Sequence, residues 1–155
     1  MKILVFSDSH GKTALMHHII QSSSCDIIFH LGDCYDDMVE ISNCYDIPTF
    51  GVIGNVDYSS DGPIHERLSI ENTQFFLTHG HHYHVKQHLN HIRDVAKQVS
   101  ADIVLFGHTH MPVIEENGFL LMNPGSISRP RNGYPSYGVI TLEDNHVRGD
   151  IIYVK

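Results

Sequence analysis

Three short apolar stretches constrain the fold of this chain most strongly. They lie within residues 2–7, 26–31 and 102–106, where hydrophobic side chains follow one another instead of alternating with polar ones. A strand has this pattern when both faces of its sheet are covered, as in parallel sheets packed under helices. Apolar residues at helical spacing over 13–22 and 85–99 supply such helices. The pattern predicts an α/β fold.

The remaining segments predict a second sheet packed on the first. Residues 47–52 read as a third buried strand, and residues 65–70 and 74–78 as a hairpin. A short helix is predicted over 36–44, with Asp36, Asp37 and Glu40 on a solvated face. Shorter alternating strands follow, at 112–116, 119–122, 136–142 and 146–154, the last two joined by a turn at Asp144-Asn145. We expect two packed mixed β-sheets flanked by helices, in a single domain over residues 1–155.

Charge and composition exclude several classes of function. The net charge of −8 argues against a nucleic-acid-binding surface, because an acidic protein repels a polyanion. No apolar stretch is long enough to span a membrane, and residues 2–6 are too short for a signal-peptide core. The three cysteines are odd in number and lack C-x-x-C spacing, so free thiols in the cytoplasm are expected.

Polar residues suited to metal binding follow five of the predicted strands. Each has an ordinary alternative: Asp8 is a candidate helix N-cap, Asn55 lies in a Gly-Asn turn pair, and a lone His-x-His is typically a solvated loop. All five together, four of them beside a glycine, favour a metal site where the strand ends meet. The residues concerned are Asp8, His10, Asp33, Asn55, His79, His108 and His110.

The order of these motifs resembles the calcineurin-like metallophosphoesterases. Asp-x-His, Gly-Asp, Gly-Asn-x-Asp, Gly-His and Gly-His-x-His occur in that order over residues 5–126, and Asn123-Pro124-Gly125-Ser126 is similar to the small stand-alone prokaryotic phosphodiesterase branch. The resemblance implies a four-layer α/β/β/α sandwich. It also implies two divalent metal ions, one held by Asp8, His10, Asp33 and His110, the other by Asp33, Asn55, His79 and His108. Manganese is the leading candidate, with nickel, iron, cobalt and zinc as alternatives.

The chain departs from this family pattern at Val56, where many relatives have a histidine suited to protonating the leaving group. Either His81 replaces it as general acid, or the enzyme requires good leaving groups. Asp57 is expected to orient a ligand or to form a turn. His84, His88 and His91 are predicted to share a solvated helix face. Arg129 and Arg131 are candidates for contacting a substrate phosphate, or for stabilising their own loop.

The resemblance implies hydrolysis of a phosphodiester by an in-line attack of a hydroxide activated between the two metals. A small diester is expected because no inserted cap domain is visible, and monoester hydrolysis is a weaker option. A homo-oligomer is left open. The alternative from another class is a non-catalytic protein-interaction scaffold on the same fold, such as the eukaryotic retromer subunit.

Overall fold

The computed structural model describes residues 1–58, 61–144 and 146–155, and this part of the chain contains ten strands and three α-helices. In chain order they are β1 (Lys2–Phe6), α1 (Ala14–Ser22), β2 (Ile27–His30), α2 (Tyr35–Cys44), β3 (Thr49–Gly51), β4 (His65–Ile70), β5 (Thr73–Thr78), α3 (Asn90–Gln98), β6 (Ile103–Leu105), β7 (Pro112–Glu116), β8 (Leu120–Pro124), β9 (Ser136–Glu143) and β10 (His146–Tyr153). A 3-10 turn, His81–Tyr83, lies between β5 and α3.

The strands form two mixed five-stranded sheets, which confirms the predicted fold class. The first has the order β10-β9-β1-β2-β3, with β1 parallel to β2 and antiparallel to β9. The second has the order β4-β5-β6-β8-β7, with β6 parallel to both of its neighbours. Because β1, β2, β5 and β6 run parallel within their sheets, their carboxyl ends can supply loops to one edge.

The alternation of side chains along β1 explains its continuous apolar sequence. Ile3 and Val5 belong to the core between the two sheets, whereas Leu4 and Phe6 pack on the other face against α1 and α2. An equivalent outer core lies under α3, on the far side of the second sheet. Both faces of the central strands are therefore covered, as predicted.

The segment before α3 differs from the predicted helix over 85–99. The helix begins at Asn90, because Gly80 (φ 99°) and His84 (φ 53°) adopt left-handed conformations and the chain between them and the helix makes turns. The prediction that His84, His88 and His91 share a helix face is therefore wrong. The predicted apolar stripe nevertheless packs in one cluster, since Val85 is buried and Leu89 partly buried there.

A second difference concerns α2, whose acidic residues were predicted to be solvated. Asp37 is instead 5% exposed, and its carboxylate accepts a hydrogen bond from the Gly11 amide at 2.8 Å. Asp36 and Glu40 are exposed as predicted. The predicted turn at Asp144-Asn145 includes Asn145, which lies outside the described residues. None of the helices in the described part of the chain has the length and apolarity needed to cross a membrane.

Candidate metal centre

The candidate ligands lie in loops at the carboxyl ends of strands from both sheets. Backbone hydrogen bonds join these loops in pairs: the Asp8 amide donates to Gly32 O at 3.0 Å, and the Gly107 amide donates to His79 O at 3.1 Å. The first bond links the loop after β1 to the loop after β2. The second links the loop after β6 to the loop after β5, so each pair of loops is fixed at the edge of its sheet.

One group of side chains consists of Asp8, His10, Asp33 and His110, whose potential ligand atoms all lie within 4.8 Å of one another. His110 Nε2 is 3.1 Å from Asp8 Oδ1 and 3.3 Å from His10 Nε2. His10 Nε2 is 4.0 Å from Asp33 Oδ2. The structure thus brings together the four residues predicted for the first metal ion.

Asp33 also belongs to a second group, with His79 and His108. His79 Nε2 is 3.4 Å from Asp33 Oδ2 and 3.2 Å from His108 Nδ1. Asn55 Oδ1 is 3.2 Å from His79 Nε2, so it adjoins this group. The Asp33 carboxylate therefore lies between the two groups, and Asp33 is the residue that the family resemblance assigns to both metal ions.

The outward contacts of two histidines fix which ring nitrogen faces the centre. His79 Nδ1 donates to Leu31 O at 2.6 Å, and His110 Nδ1 donates to Arg129 O at 2.7 Å. In the neutral imidazole each Nε2 then turns a lone pair toward a carboxylate, which is repulsive unless a proton or a cation lies between them. A ligating histidine typically has this arrangement.

The carboxylate of Asp8 supplies a further indication that a cation fits here. Its Oδ1 atom is buried and has no hydrogen bond of good geometry among the described residues, although His110 Nε2 lies nearby. An ionised, buried oxygen without a partner is costly, and coordination removes that cost. The oxygen and imidazole donors suit divalent cations such as manganese, iron or zinc.

Ionisation of the side chains follows from their close packing. Burial opposes the charged form of Asp33, yet its hydrogen bond to His79 and the nearby positive charge lower the pKa of Asp33 to about 2. Burial likewise opposes protonation of His79, but the neighbouring carboxylates raise its pKa. The close approach of the Asp8 carboxylate raises the pKa of His110, whereas burial lowers the pKa of His10. The carboxylates of the centre therefore favour the protonated forms of His79 and His110.

Five of the seven candidate ligands adopt left-handed backbone conformations: Asp8 (φ 54°), His10 (φ 49°), Asp33 (φ 49°), His108 (φ 69°) and His110 (φ 58°). Residues other than glycine rarely adopt the left-handed backbone conformation, because it is strained, and they keep it only where surrounding contacts enforce it. Its concentration in these loops is typical of a functional site.

Asp57 holds two of the loops together. Its carboxylate accepts hydrogen bonds from the amides of Asp33 at 3.1 Å, Tyr35 at 2.9 Å and Gly54 at 2.6 Å. These contacts combine the two roles considered from sequence, a turn and the orientation of a ligand. Because the carboxylate faces backbone amides, Asp57 is a candidate positioning residue for Asp33 and Asn55.

His81 lies beside the second group of ligands. Its ring centroid is 5.4 Å from that of His79 and 6.0 Å from that of His108. Its Nδ1 atom is buried and has no hydrogen-bond partner in the part of the chain that the structure describes. Burial, with smaller contributions from neighbouring histidines, lowers the pKa of His81 to about 4. At neutral pH the imidazole is therefore uncharged.

The two arginines considered as phosphate contacts support His110 through their backbone. Arg129 O accepts the His110 Nδ1 proton, and the Arg131 amide donates to His110 O at 3.2 Å. Both side chains are exposed, and the positive charge of Arg129 contributes to lowering the pKa of His10, after burial. The loop therefore positions one candidate ligand and presents cations beside the centre.

Several supporting residues were missed from sequence. His30 is fully buried, accepts the Gly32 amide proton at Nδ1 (3.3 Å) and donates from Nε2 to Ser9 Oγ at 2.8 Å, behind the loops that carry Asp8 and Asp33. A polar residue inside the apolar run of residues 27–31 was the available signal. Asn123 Nδ2 donates to Gly107 O at 2.8 Å, so the carboxyl end of β8 supports the His108 loop.

Comparisons with known proteins agree with this geometry. The profile of the calcineurin-like phosphoesterase superfamily domain matches residues 1–145. The probable metallophosphoesterase YsnB of Bacillus subtilis is 33% identical over 149 residues, covering 94% of this chain and 86% of that protein. The phosphodiesterase MJ0936 of Methanocaldococcus jannaschii is 28% identical, covering 96% and 97%. The structure of a predicted phosphoesterase from Streptococcus pneumoniae superimposes with a TM-score of 0.84 at 28% identity, covering 98% and 88%.

Proposed function

The chain belongs to the calcineurin-like phosphoesterase superfamily, and we propose that it hydrolyses phosphodiester bonds with a hydroxide activated by two divalent metal ions. The observation that carries this proposal is the position of Asp33, whose carboxylate is shared by two groups of candidate ligands. A carboxylate has two oxygens and can bind two cations at once, which an imidazole or an amide oxygen does less readily.

The proposed ligand sets follow the two groups. Asp8, His10, Asp33 and His110 would hold one ion, and Asp33, Asn55, His79 and His108 the other; manganese is the leading candidate. When bound, such a pair of ions lowers the pKa of a water molecule toward neutrality and offsets negative charge on the phosphoryl oxygens.

The protein side chains fix the geometry in which this chemistry occurs. Hydrogen bonds from His79 to Leu31 O and from His110 to Arg129 O orient the two rings, so that little reorganisation is needed on binding. Asp57 positions Asp33 through its backbone amide. These contacts hold the site ready for a phosphate.

His81 is the proposed general acid for the leaving oxygen. Its ring lies beside His79 and His108, and its Nδ1 atom has no hydrogen-bond partner among the described residues, so no other side chain holds that nitrogen. Because the pKa of the His81 side chain is about 4 in the absence of substrate, protonation must accompany the arrival of a phosphate anion. Good leaving groups would not require this step.

A small phosphodiester is the proposed substrate class, supported by the similarity to an archaeal protein named as a phosphodiesterase. The net charge of −8 disfavours a nucleic acid as substrate. The proposed location is the cytoplasm, and assembly into a homo-oligomer is left open.

Metal removal and restoration test the proposal. We expect the chelator-treated protein to be inactive on bis(p-nitrophenyl) phosphate, and Mn²⁺ to restore turnover. The matched control is Asp36→Asn, an exposed carboxylate outside the centre, which should behave as the wild type. Absence of turnover with each of manganese, nickel, cobalt, zinc and iron would favour the non-catalytic scaffold. Metal binding alone would not decide the matter, because a scaffold can also bind metal.

A further inference from the structure

An apolar pocket of about 270 Å³ opens on the outer face of the second sheet. Its apolar walls come from the turns before α3, from the loop between β6 and β7, and from the start of β7: Val85, Leu89, Phe106, Met111 and Val113. The volume is just below the roughly 300–1,000 Å³ typical of small-molecule sites, so it fits a group about the size of one ring.

The pocket adjoins the loop that carries two of the candidate metal ligands. Phe106, which lines the pocket, directly precedes Gly107-His108, and Thr109, between His108 and His110, also lines it. Gly80, which follows His79, packs against Val85 so closely that a Cβ atom there would be 2.9 Å from Val85 Cγ2. The loops that present three candidate ligands therefore form one side of the pocket.

Two cations stand at the pocket, in a protein that carries only ten lysines and arginines against eighteen acidic residues. Lys86 and Arg131 both line it, and both are exposed. The Arg131 amide is bound to His110 O. An anionic group at the centre would be attracted from the pocket side.

We propose that this pocket binds an aryl, or similarly sized apolar, ester group of the substrate while the phosphate lies at the metal centre and faces Lys86 and Arg131. The apolar walls would remove the ring from water, and the two cations complement the charge of the adjoining phosphate. The inference rests on the proposed function for the position of the phosphate. The proposal predicts a preference for aryl over small alkyl esters, and it attributes that preference to Met111 and the other apolar residues of the pocket.

Binding of two phosphonates to the manganese-loaded protein tests the proposal without turnover. Phenylphosphonate and methylphosphonate share the phosphoryl oxygens and lack a leaving group, so only the organic group differs. By calorimetry we expect the Kd of phenylphosphonate to be lower by about tenfold. The preference should fall to within twofold in Met111→Asp, and in the uncharged variant Met111→Ser it should fall several-fold.

Ile114→Asp is the matched control. Ile114 lies in β7, three residues after Met111, and is 41% exposed, against 47% for Met111, but it does not line the pocket. It should retain the full preference. Equal affinities in the wild type, or a preference unchanged in both Met111 variants, would overturn the inference even if diester hydrolysis is found. A clear preference for the phenyl compound in a protein without turnover would support the pocket and refute the proposed function.

Discussion

Replacing Gly54 by alanine should disrupt the centre by displacing Asp33. Gly54 has no unusual backbone conformation, since it is not among the glycines with positive φ, so an alanine is tolerated by the local chain. Its Cβ, however, would lie 2.5 Å from Asp33 N and 2.8 Å from Asp33 Cγ, and closer still to Oδ1. Ordinary contact begins near 3.4 Å, so the backbone of Asp33 or of Gly54 must move by about 0.9 Å.

The expected magnitude follows from that displacement. A shift of this size in a catalytic group costs roughly 100-fold in rate, and such overpacking costs about 1–3 kcal/mol of stability. We therefore expect kcat/KM for an activated diester to fall by about 100-fold, and metal content, measured by elemental analysis, to fall below two ions per chain. Thermal unfolding should show a folded protein.

Gly118→Ala controls for the general cost of the substitution. Gly118 has φ 77° and nothing within 4 Å of an added Cβ, so alanine there costs about 1–2 kcal/mol of strain, remote from the centre. Its activity should stay unchanged. If Gly54→Ala binds two metals and keeps more than a third of the wild-type kcat/KM, close packing does not fix Asp33 and the reasoning is wrong.

Three further predictions concern single side chains. Asp33→Asn should lower kcat/KM more than Asp8→Asn because Asp33 adjoins both groups; two tightly bound metals in the Asp33 variant would contradict this. His81→Ala should reduce turnover of a diester with a poor leaving group by about 100-fold and leave turnover of a p-nitrophenyl ester unchanged. If the variant hydrolyses the diester with the poor leaving group as fast as the wild type does, His81 is not the acid. Burial lowers the pKa of His30 to about 4, so its neutral form stabilises the fold above pH 6.5 and this contribution is lost as the pH falls toward 4. Urea unfolding should show the metal-free wild type losing about 2 kcal/mol more than His30→Gln between pH 7 and pH 5, and identical losses would refute the assignment.

The strands were predictable because their burial is recorded in the local sequence. The run Ile3–Phe6 faces two cores at once, so every position is apolar, and β1 lies within one residue of its predicted bounds. The hairpin of β4 and β5 was equally local, with Glu71 and Asn72 both at positive φ in the turn. Where a residue's neighbours in sequence determine its environment, pattern and structure agree.

The errors lie where distant contacts decide the local structure. Val85 and Leu89 continue the apolar period of α3, yet the left-handed backbone at Gly80 and His84 starts the helix later. Asp37 has the sequence context of a solvated residue. Its side chain is nevertheless buried and accepts a hydrogen bond from the amide of Gly11, 26 residues away. The contact between Gly11 and Asp37 leaves no local signal, because it depends on how the loops of different strands pack together.

The candidate centre was predicted in composition, but its support was not. All seven residues named from the motif order lie at one edge, while their role as ligands stays a prediction. His108 and His110 are two residues apart and both have left-handed backbones, yet each adjoins a different group. The contacts of His30 and Asp57 emerge only when the loops are assembled.

The division of the proposed donors between the two sheets links the cohesion of the fold to the chemistry. The loops of the first sheet supply Asp8, His10, Asp33 and Asn55, and those of the second supply His79, His108 and His110. An ion bound by donors from both sets of loops would link the two sheets, because the sheets could not separate without breaking its coordination. Occupancy would then slow amide hydrogen exchange at the ends of β1 and β6 together, although these strands lie in different sheets. The same seven side chains would make the two halves of the molecule unfold as one unit.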